Sequence, residues 1–175
     1  MSKITKLAIF DFDGTLIDTP LPDVGRDHYH TKTGTPWPHE GWWGRQESLD
    51  MTIFEMPTVE MVIEAYEKER ASESTAVVLL TGRMIKLSDH VKLILDTKGL
   101  TFDEYHYNKG GKTEDAKIKS MEKLLEKYPT AMEMELWDDR TLHIPIFQAW
   151  GNAQLETGRL TIFKINHVIT NHHGE

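Results

Sequence analysis

Asp11 and Asp13, in the hexapeptide Asp11-Phe12-Asp13-Gly14-Thr15-Leu16, follow the apolar run Leu7-Ala8-Ile9-Phe10. Side chains alternate along an extended strand, so residues two apart share a face. The two carboxylates can therefore converge on one small volume. Anions that close repel, and one is driven toward protonation unless a cation lies between them. A hard divalent ion that prefers oxygen, Mg²⁺ first, is the natural partner. One carboxylate is then placed to attack as a nucleophile and the other to give and take a proton. Two plainer readings stand beside this one, a solvated turn and a fragment of a calcium loop. The calcium loop needs further oxygen residues at fixed offsets and a late Glu, whereas Leu16, Ile17 and Pro20 fill that stretch.

Other polar groups fall at similar places. The continuous apolar run Ala76–Leu80 leads into Thr81-Gly82-Arg83, and Met132–Trp137 leads into Asp138-Asp139-Arg140. Ligands of open α/β sheets sit at the carboxyl ends of the strands, so these segments are expected at one edge. Thr81 offers a hydroxyl, or alternatively a helix cap. Arg83 offers a planar fork suited to phosphate, or is an ordinary surface arginine.

The elements that must position these residues alternate between strand and helix, which reads as an α/β fold with a mainly parallel sheet. Strands are predicted at Lys6–Phe12, Ala76–Leu80, Phe102–Tyr107, Met132–Trp137 and Leu160–Val168. Helices are predicted at Pro57–Arg70 and at Leu87–Lys98. A third runs from a Thr113 N-cap to about Tyr128, and a short one from Ile144 to Trp150, ended by Gly151. A polar tail is read at Asn171–Glu175. Asp18–Met56 breaks the rhythm, with four prolines and Trp37, Trp42 and Trp43. It is too long for a plain connection and too aromatic for a disordered linker. It reads as an irregular, cap-like insertion at about 18–56 over the mouth of the site, within one domain spanning 1–175.

The chain has 175 residues, no cysteine and a net charge of −8. Disulfides and thiolate zinc sites are excluded. No basic stripe tracks a long nucleic-acid backbone, although gripping one phosphate or a short single-stranded end is compatible with this charge. No signal peptide and no membrane-length apolar run is seen, so a soluble cytoplasmic protein is expected.

The Asp11–Leu16 hexapeptide resembles the first motif of the haloacid dehalogenase (HAD) superfamily of phosphatases and phosphotransferases. That resemblance implies a Rossmann-like three-layer sandwich and an aspartyl-phosphate mechanism. Thr81 then matches the second motif, a hydroxyl donor to the phosphoryl group, and Asp138 and Asp139 match the acidic fourth motif. Asp138, first off its strand, is the expected direct Mg²⁺ ligand, with Asp139 assisting. The third motif implies a lysine, for which Lys109, Lys112, Lys117 and Lys119 are available. Lys117 shares a helical stripe with Met121, Leu124 and Tyr128, whereas Lys119 shares one with Glu122, Lys123 and Glu126. A lysine on an apolar stripe either meets a buried anion or snorkels to water; Lys117 is chosen on the first ground. The resemblance further implies Mg²⁺ on Asp11, Asp138 and the Asp13 carbonyl. Asp11 would be nucleophile and Asp13 acid and base. Thr81, Lys117 and backbone amides near Phe12 and Gly14 would face the phosphoryl oxygens.

The segments Leu80-Thr81-Gly82-Arg83 and Trp137-Asp138-Asp139-Arg140-Thr141 resemble the 3′-phosphatase domain of phage-type polynucleotide kinase–phosphatases. Asp11–Pro22, Gly41-Trp42-Trp43, Thr113–Leu125 and Trp137–Phe147 resemble the Swiss Army Knife RNA-repair-like HAD family more closely. No Gly-x-x-x-x-Gly-Lys-Ser/Thr kinase motif is present. The implied substrate is a nucleic-acid or nucleotide phosphomonoester, RNA or DNA ends first. Gly14, Arg83, Arg140, Trp42 and Trp43 are the expected substrate contacts, the tryptophans by stacking a base. Arg26, Lys32, Arg45 and the histidines at 28, 30 and 39 are further backbone candidates. The tryptophans can equally form the insertion's own core. A small-molecule nucleotidase and a non-catalytic binding protein on the same scaffold remain alternatives.

Overall fold

Apolar residues on strands that are covered on both sides divide by parity between two cores, and this chain follows that rule. The computed structural model describes residues 3–170; the polar tail at Asn171–Glu175 lies outside them. The sheet has five strands: β1 (Lys6–Phe10), β2 (Thr75–Met84), β3 (Glu104–Asn108), β4 (Glu133–Asp138) and β5 (Ile162–His167). All pairs are parallel, in the order β3-β2-β1-β4-β5. Ala8, Phe10, Val77, Leu79 and Trp137 face one core, with Val62 and Tyr66 of α2 (Glu60–Arg70) and Val91, Ile94 and Leu95 of α3 (Ser88–Thr97). Leu7, Ile9, Ala76, Val78, Met134 and Leu136 face the other. There they meet Met121 and Leu124 of α4 (Thr113–Lys127) and Phe147 of α5 (Ile144–Glu156). The result is the expected three-layer α/β sandwich. No helix among the described residues is long and apolar enough to cross a membrane.

Several boundaries differ from the sequence reading. β2 continues through Thr81 to Met84, so Thr81 is a strand residue and not a helix cap. Lys112 takes the N-cap position of α4, and Thr113 is its first helical residue. α5 runs past Gly151 to Glu156. Gly151 is a packing contact and not a terminator, because a Cβ there would overlap the Phe163 ring of β5.

The largest difference lies between β1 and α2. The stretch read as irregular holds a regular helix, α1 (Pro22–Thr33), and a short 3₁₀ turn at Gln46–Leu49. α1 escaped detection because it buries only Gly25 and so has no apolar stripe. Gly25 instead gives close approach to Trp42, whose ring would overlap a Cβ at that position. Trp42 packs edge-on against Phe54 at 5.4 Å and lies 4.7 Å from Trp37. Its indole N–H donates to the Pro20 carbonyl. The insertion thus builds its own aromatic core, continuous with the first face of the sheet.

Candidate active site

The order of strands sets the site. β1 is central, flanked by β2 and β4, so their carboxyl ends lie side by side. The Asp11 N–H donates to the Trp137 carbonyl at 3.0 Å, which holds Asp11 in register with the end of β4. The chain then turns at Gly14, whose φ of 69° favours a residue without a Cβ. The Gly14 N–H donates to the Ile17 carbonyl at 2.7 Å. Gly14 therefore shapes the turn, and its amide is not presented to a substrate as the sequence reading had it.

Asp11, Asp138 and Asp139 are buried, and one carboxylate oxygen of each lies within 4.8 Å of one from the others. Lys117, one turn into α4, reaches them from the side. Its Nζ donates to Asp11 Oδ1 at 2.9 Å and to Asp138 Oδ2 at 2.6 Å. It is 3% exposed, so the lysine on the apolar stripe meets anions and does not snorkel. Asp11 Oδ2 accepts the Thr15 hydroxyl at 3.0 Å, and Asp138 Oδ1 accepts the Arg140 N–H at 3.0 Å. Burial pushes the Asp11 carboxyl well above the usual carboxylate range; attraction to Lys117 opposes this, and repulsion from Asp138 and Asp139 adds to it. Burial by itself would lower Lys117, but the attraction of Asp11 and Asp138 outweighs it and holds the ammonium above its ordinary value.

Asp13 points elsewhere. Its carboxylate accepts a bidentate fork from Arg83, Nε to Oδ2 at 2.9 Å and Nη2 to Oδ1 at 2.7 Å. The Thr19 hydroxyl donates to Oδ1 at 2.7 Å. The Asp13 side chain is thus outside the carboxylate cluster, and a metal role for Asp13 would rest on its backbone carbonyl. Arg83 is buried, with its fork committed to Asp13. Its fork is thus paired with a carboxylate rather than open, although Arg83 still borders the cavity. Thr81 is buried, and its oxygen accepts the Arg83 N–H at 3.1 Å.

A cavity of about 500 Å³ opens above Asp11. Asp13, Arg83, Lys117, Asp139 and Arg140 line it, with Thr113 and Gly82, and Leu21, Pro22 and Trp43 form an apolar wall from the insertion. Trp43 is 37% exposed, whereas Trp42 is 3% exposed. Of the two, only Trp43 lines the cavity; Trp42 is spent on the insertion's core, so it is not a stacking surface. His28 and Lys32 bond the carbonyls of Ile53 and Thr52, and Arg45 bonds Glu47 and His39. These side chains tie the insertion together and do not line the cavity. Sequence reasoning missed Thr15, Thr19 and Thr113. The one usable signal was for Thr113, which precedes Lys117 by one helical turn and so lies on the same face.

The donor set fits a divalent metal. Three buried carboxylates face a single ammonium, an excess of negative charge that Mg²⁺ would balance, and every cluster ligand is a hard oxygen.

An all-parallel sheet with acidic residues gathered at the carboxyl end of its central strand, beneath an insertion after β1, is the fold of HAD-like hydrolases. Among solved structures, a chain of the Pnkp1/Rnl/Hen1 complex aligns with a TM-score of 0.57 at 20% identity, over 97% of this chain and 49% of that one. A haloacid dehalogenase-like hydrolase from Streptococcus pneumoniae aligns with a TM-score of 0.51 at 15% identity, over 94% and 95% of the two chains. The HAD domain of effector protein Lem4 from Legionella pneumophila aligns at 0.53 and 14% identity, over 94% and 86%. The chain belongs to HAD domain family 1 of Swiss Army Knife RNA repair proteins, whose profile matches residues 31–173. It is also 27% identical over 170 residues to an uncharacterized protein of Saccharomyces cerevisiae, covering 84% of this chain and 37% of that relative. The chain thus spans less than half the length of that yeast relative.

Proposed function

We propose that this chain is a Mg²⁺-dependent phosphomonoesterase that works through an aspartyl phosphate on Asp11 and acts on the ends of nucleic acids, 3′-phosphates first. The observation that carries the reading is the buried Asp11–Asp138–Asp139 cluster around Lys117, beneath a cavity wide enough for a phosphorylated nucleotide.

Mg²⁺ would be held by Asp11, Asp138 and the Asp13 carbonyl, with Asp139 beside them, and would neutralise charge on the phosphoryl group. The residues do the rest. Thr15 and Lys117 fix the two oxygens of Asp11, leaving the carboxylate aimed rather than free to rotate. Asp11 attacks phosphorus in line as the bond to the leaving oxygen breaks. Asp13 in its protonated form gives that oxygen a proton and then, as the carboxylate held by Arg83, takes one from the water that cleaves the acyl phosphate. Inorganic phosphate leaves and Asp11 is restored. Lys117 and Thr113 face the phosphoryl oxygens, and Thr81, in β2, holds the Arg83 N–H beside them. Positioning and electrostatics carry most of the rate in such transfers.

The nucleic-acid part rests on the cavity wall and on the family. Trp43 gives an exposed ring for a terminal base, Leu21 and Pro22 extend the apolar surface, and Arg140 supplies a cation at the rim. The family is one of RNA repair proteins. The net charge of −8 argues against tracking a duplex and, taken alone, favours the nucleotidase alternative, so the nucleic-acid reading is confined to single ends. The test is phosphate release with and without Mg²⁺ from RNA and DNA oligonucleotides phosphorylated at either end, beside free nucleotides. Preferred release from 3′-phosphorylated oligonucleotides is expected. Turnover of nucleotides alone would move the reading to a nucleotidase, which a cavity of about 500 Å³ also accommodates. An Asp11→Asn variant as active as the wild type would reject the mechanism.

A further inference from the structure

Arg83 is a strand residue with almost no exposure, and its guanidinium joins two parts of the chain that are distant in sequence. Toward β1 it grips both oxygens of Asp13. Toward the insertion, Nη1 donates to the Trp43 carbonyl at 2.7 Å and to Ser48 Oγ at 2.9 Å. Its guanidinium carbon also stands 5.0 Å from the Trp43 ring centroid. Ser48 is 1% exposed, and its hydroxyl proton goes to the Arg45 carbonyl at 2.7 Å. Its oxygen is therefore turned toward Arg83. A buried guanidinium must find acceptors for its N–H groups, and half of those found here belong to the insertion. A rigid planar fork cannot rotate at one end without rotating at the other.

We propose that Ser48 and the Trp43 carbonyl are positioning groups that set the Asp13 carboxylate through Arg83, so that the seating of the insertion decides whether the leaving oxygen receives its proton. This rests on the phosphatase reading above and adds a control on its proton-transfer step. The Trp43 that lines the cavity is the same residue whose carbonyl holds Arg83. A leaving group packed against that ring thus presses on the group that orients Asp13.

The test separates esters by their need for a proton. The 4-nitrophenolate of 4-nitrophenyl phosphate leaves as a stable anion, whereas the alkoxide of glycerol 2-phosphate must be protonated as it departs. In the full chain, Ser48→Ala is expected to lower kcat/KM about tenfold on glycerol 2-phosphate and no more than about twofold on 4-nitrophenyl phosphate. Arg83→Lys, which cannot span both partners, should give the same pattern more strongly, and the double variant should be no worse than Arg83→Lys alone. Independently of turnover, the Arg83 Nε–H resonance, identified by its loss in Arg83→Lys, should resist exchange with solvent in the wild type and exchange faster in Ser48→Ala. Equal losses on the two esters, no loss on either, or an unaltered Arg83 Nε–H in Ser48→Ala would overturn the proposal. A wild type that releases phosphate from neither ester and from no phosphorylated oligonucleotide rejects the phosphatase reading, and the exchange measurement then decides the coupling alone.

Discussion

Replacing Lys117 by methionine keeps most of the side chain's apolar volume and removes its charge. The ammonium lies 2.9 Å from Asp11 and 2.6 Å from Asp138, with all three side chains buried. At an effective dielectric near 20, each attraction is on the order of 6 kcal/mol. Desolvation of the three ions consumes much of that. The net cost of leaving two buried carboxylates without their cation is about 3–5 kcal/mol. The folded variant can recover part of this by keeping a proton on Asp11, whose carboxyl is already pushed upward by burial and by Asp138 and Asp139. A carboxyl raised in the folded state holds a proton that the unfolded chain has released. Its contribution is fully present below the ordinary aspartate value and is lost as pH rises through the folded one. The deficit of Lys117→Met should therefore be small near pH 4 and should grow toward about 3–5 kcal/mol by pH 8. Urea denaturation in EDTA, followed by tryptophan fluorescence across that range, measures it. Added Mg²⁺ should stabilise the variant more than the wild type, because the ion no longer competes with an ammonium for the same oxygens. A variant as stable as the wild type at pH 8 in EDTA, or a deficit independent of pH, would refute this charge arrangement.

Other outcomes follow from single contacts. Trp43→Ala should raise KM for a 3′-phosphorylated oligonucleotide roughly tenfold, since stacking one base contributes about 1–3 kcal/mol; steady-state kinetics on oligonucleotides of several lengths would show it, and an unchanged KM would remove Trp43 from the binding surface. Thr113→Val keeps the shape of a residue that lines the cavity. It should lower kcat/KM about tenfold, the scale of one hydrogen bond to a charged group, while the urea midpoint stays put because Thr113 is not the cap of α4. Gly151→Ala should destabilise by about 1–3 kcal/mol through overpacking on Phe163, although alanine is the better helix former by about 1 kcal/mol; a higher midpoint would mean that α5 can move off the sheet at little cost.

The parts of this protein that were legible in its sequence are those in which one physical signal is repeated locally. The central strands are visible because burial on both faces demands unbroken apolar runs such as Ala76–Leu80, whereas the edge strands β3 and β5 are only partly buried. Lys117 was separable from Lys119 because helical spacing put it among Met121 and Leu124, and burial of a lone ammonium has few outcomes. The Asp11–Leu16 motif and the Asp138-Asp139 pair stood out because carboxylates at strand ends have few other reasons to recur. What was not legible depends on contacts across long sequence separations. Helix α1 is held by Gly25 fitted under Trp42, by Tyr29 against Trp37 and by His28 and Lys32 on the carbonyls of Ile53 and Thr52, relations that no periodicity reports. Trp42 and Trp43 are adjacent and chemically alike, yet one is buried and the other faces the cavity; only the path of the insertion separates them. Arg83 looked like a phosphate fork because a guanidinium binds a carboxylate and a phosphate with the same geometry. Which anion it meets is decided by Asp13, 70 residues away, and by Ser48, 35 residues away on the insertion. The substrate-facing half of the site was therefore the half least open to sequence reasoning, since its chemistry is made by docking the insertion onto the sheet and not by any segment alone.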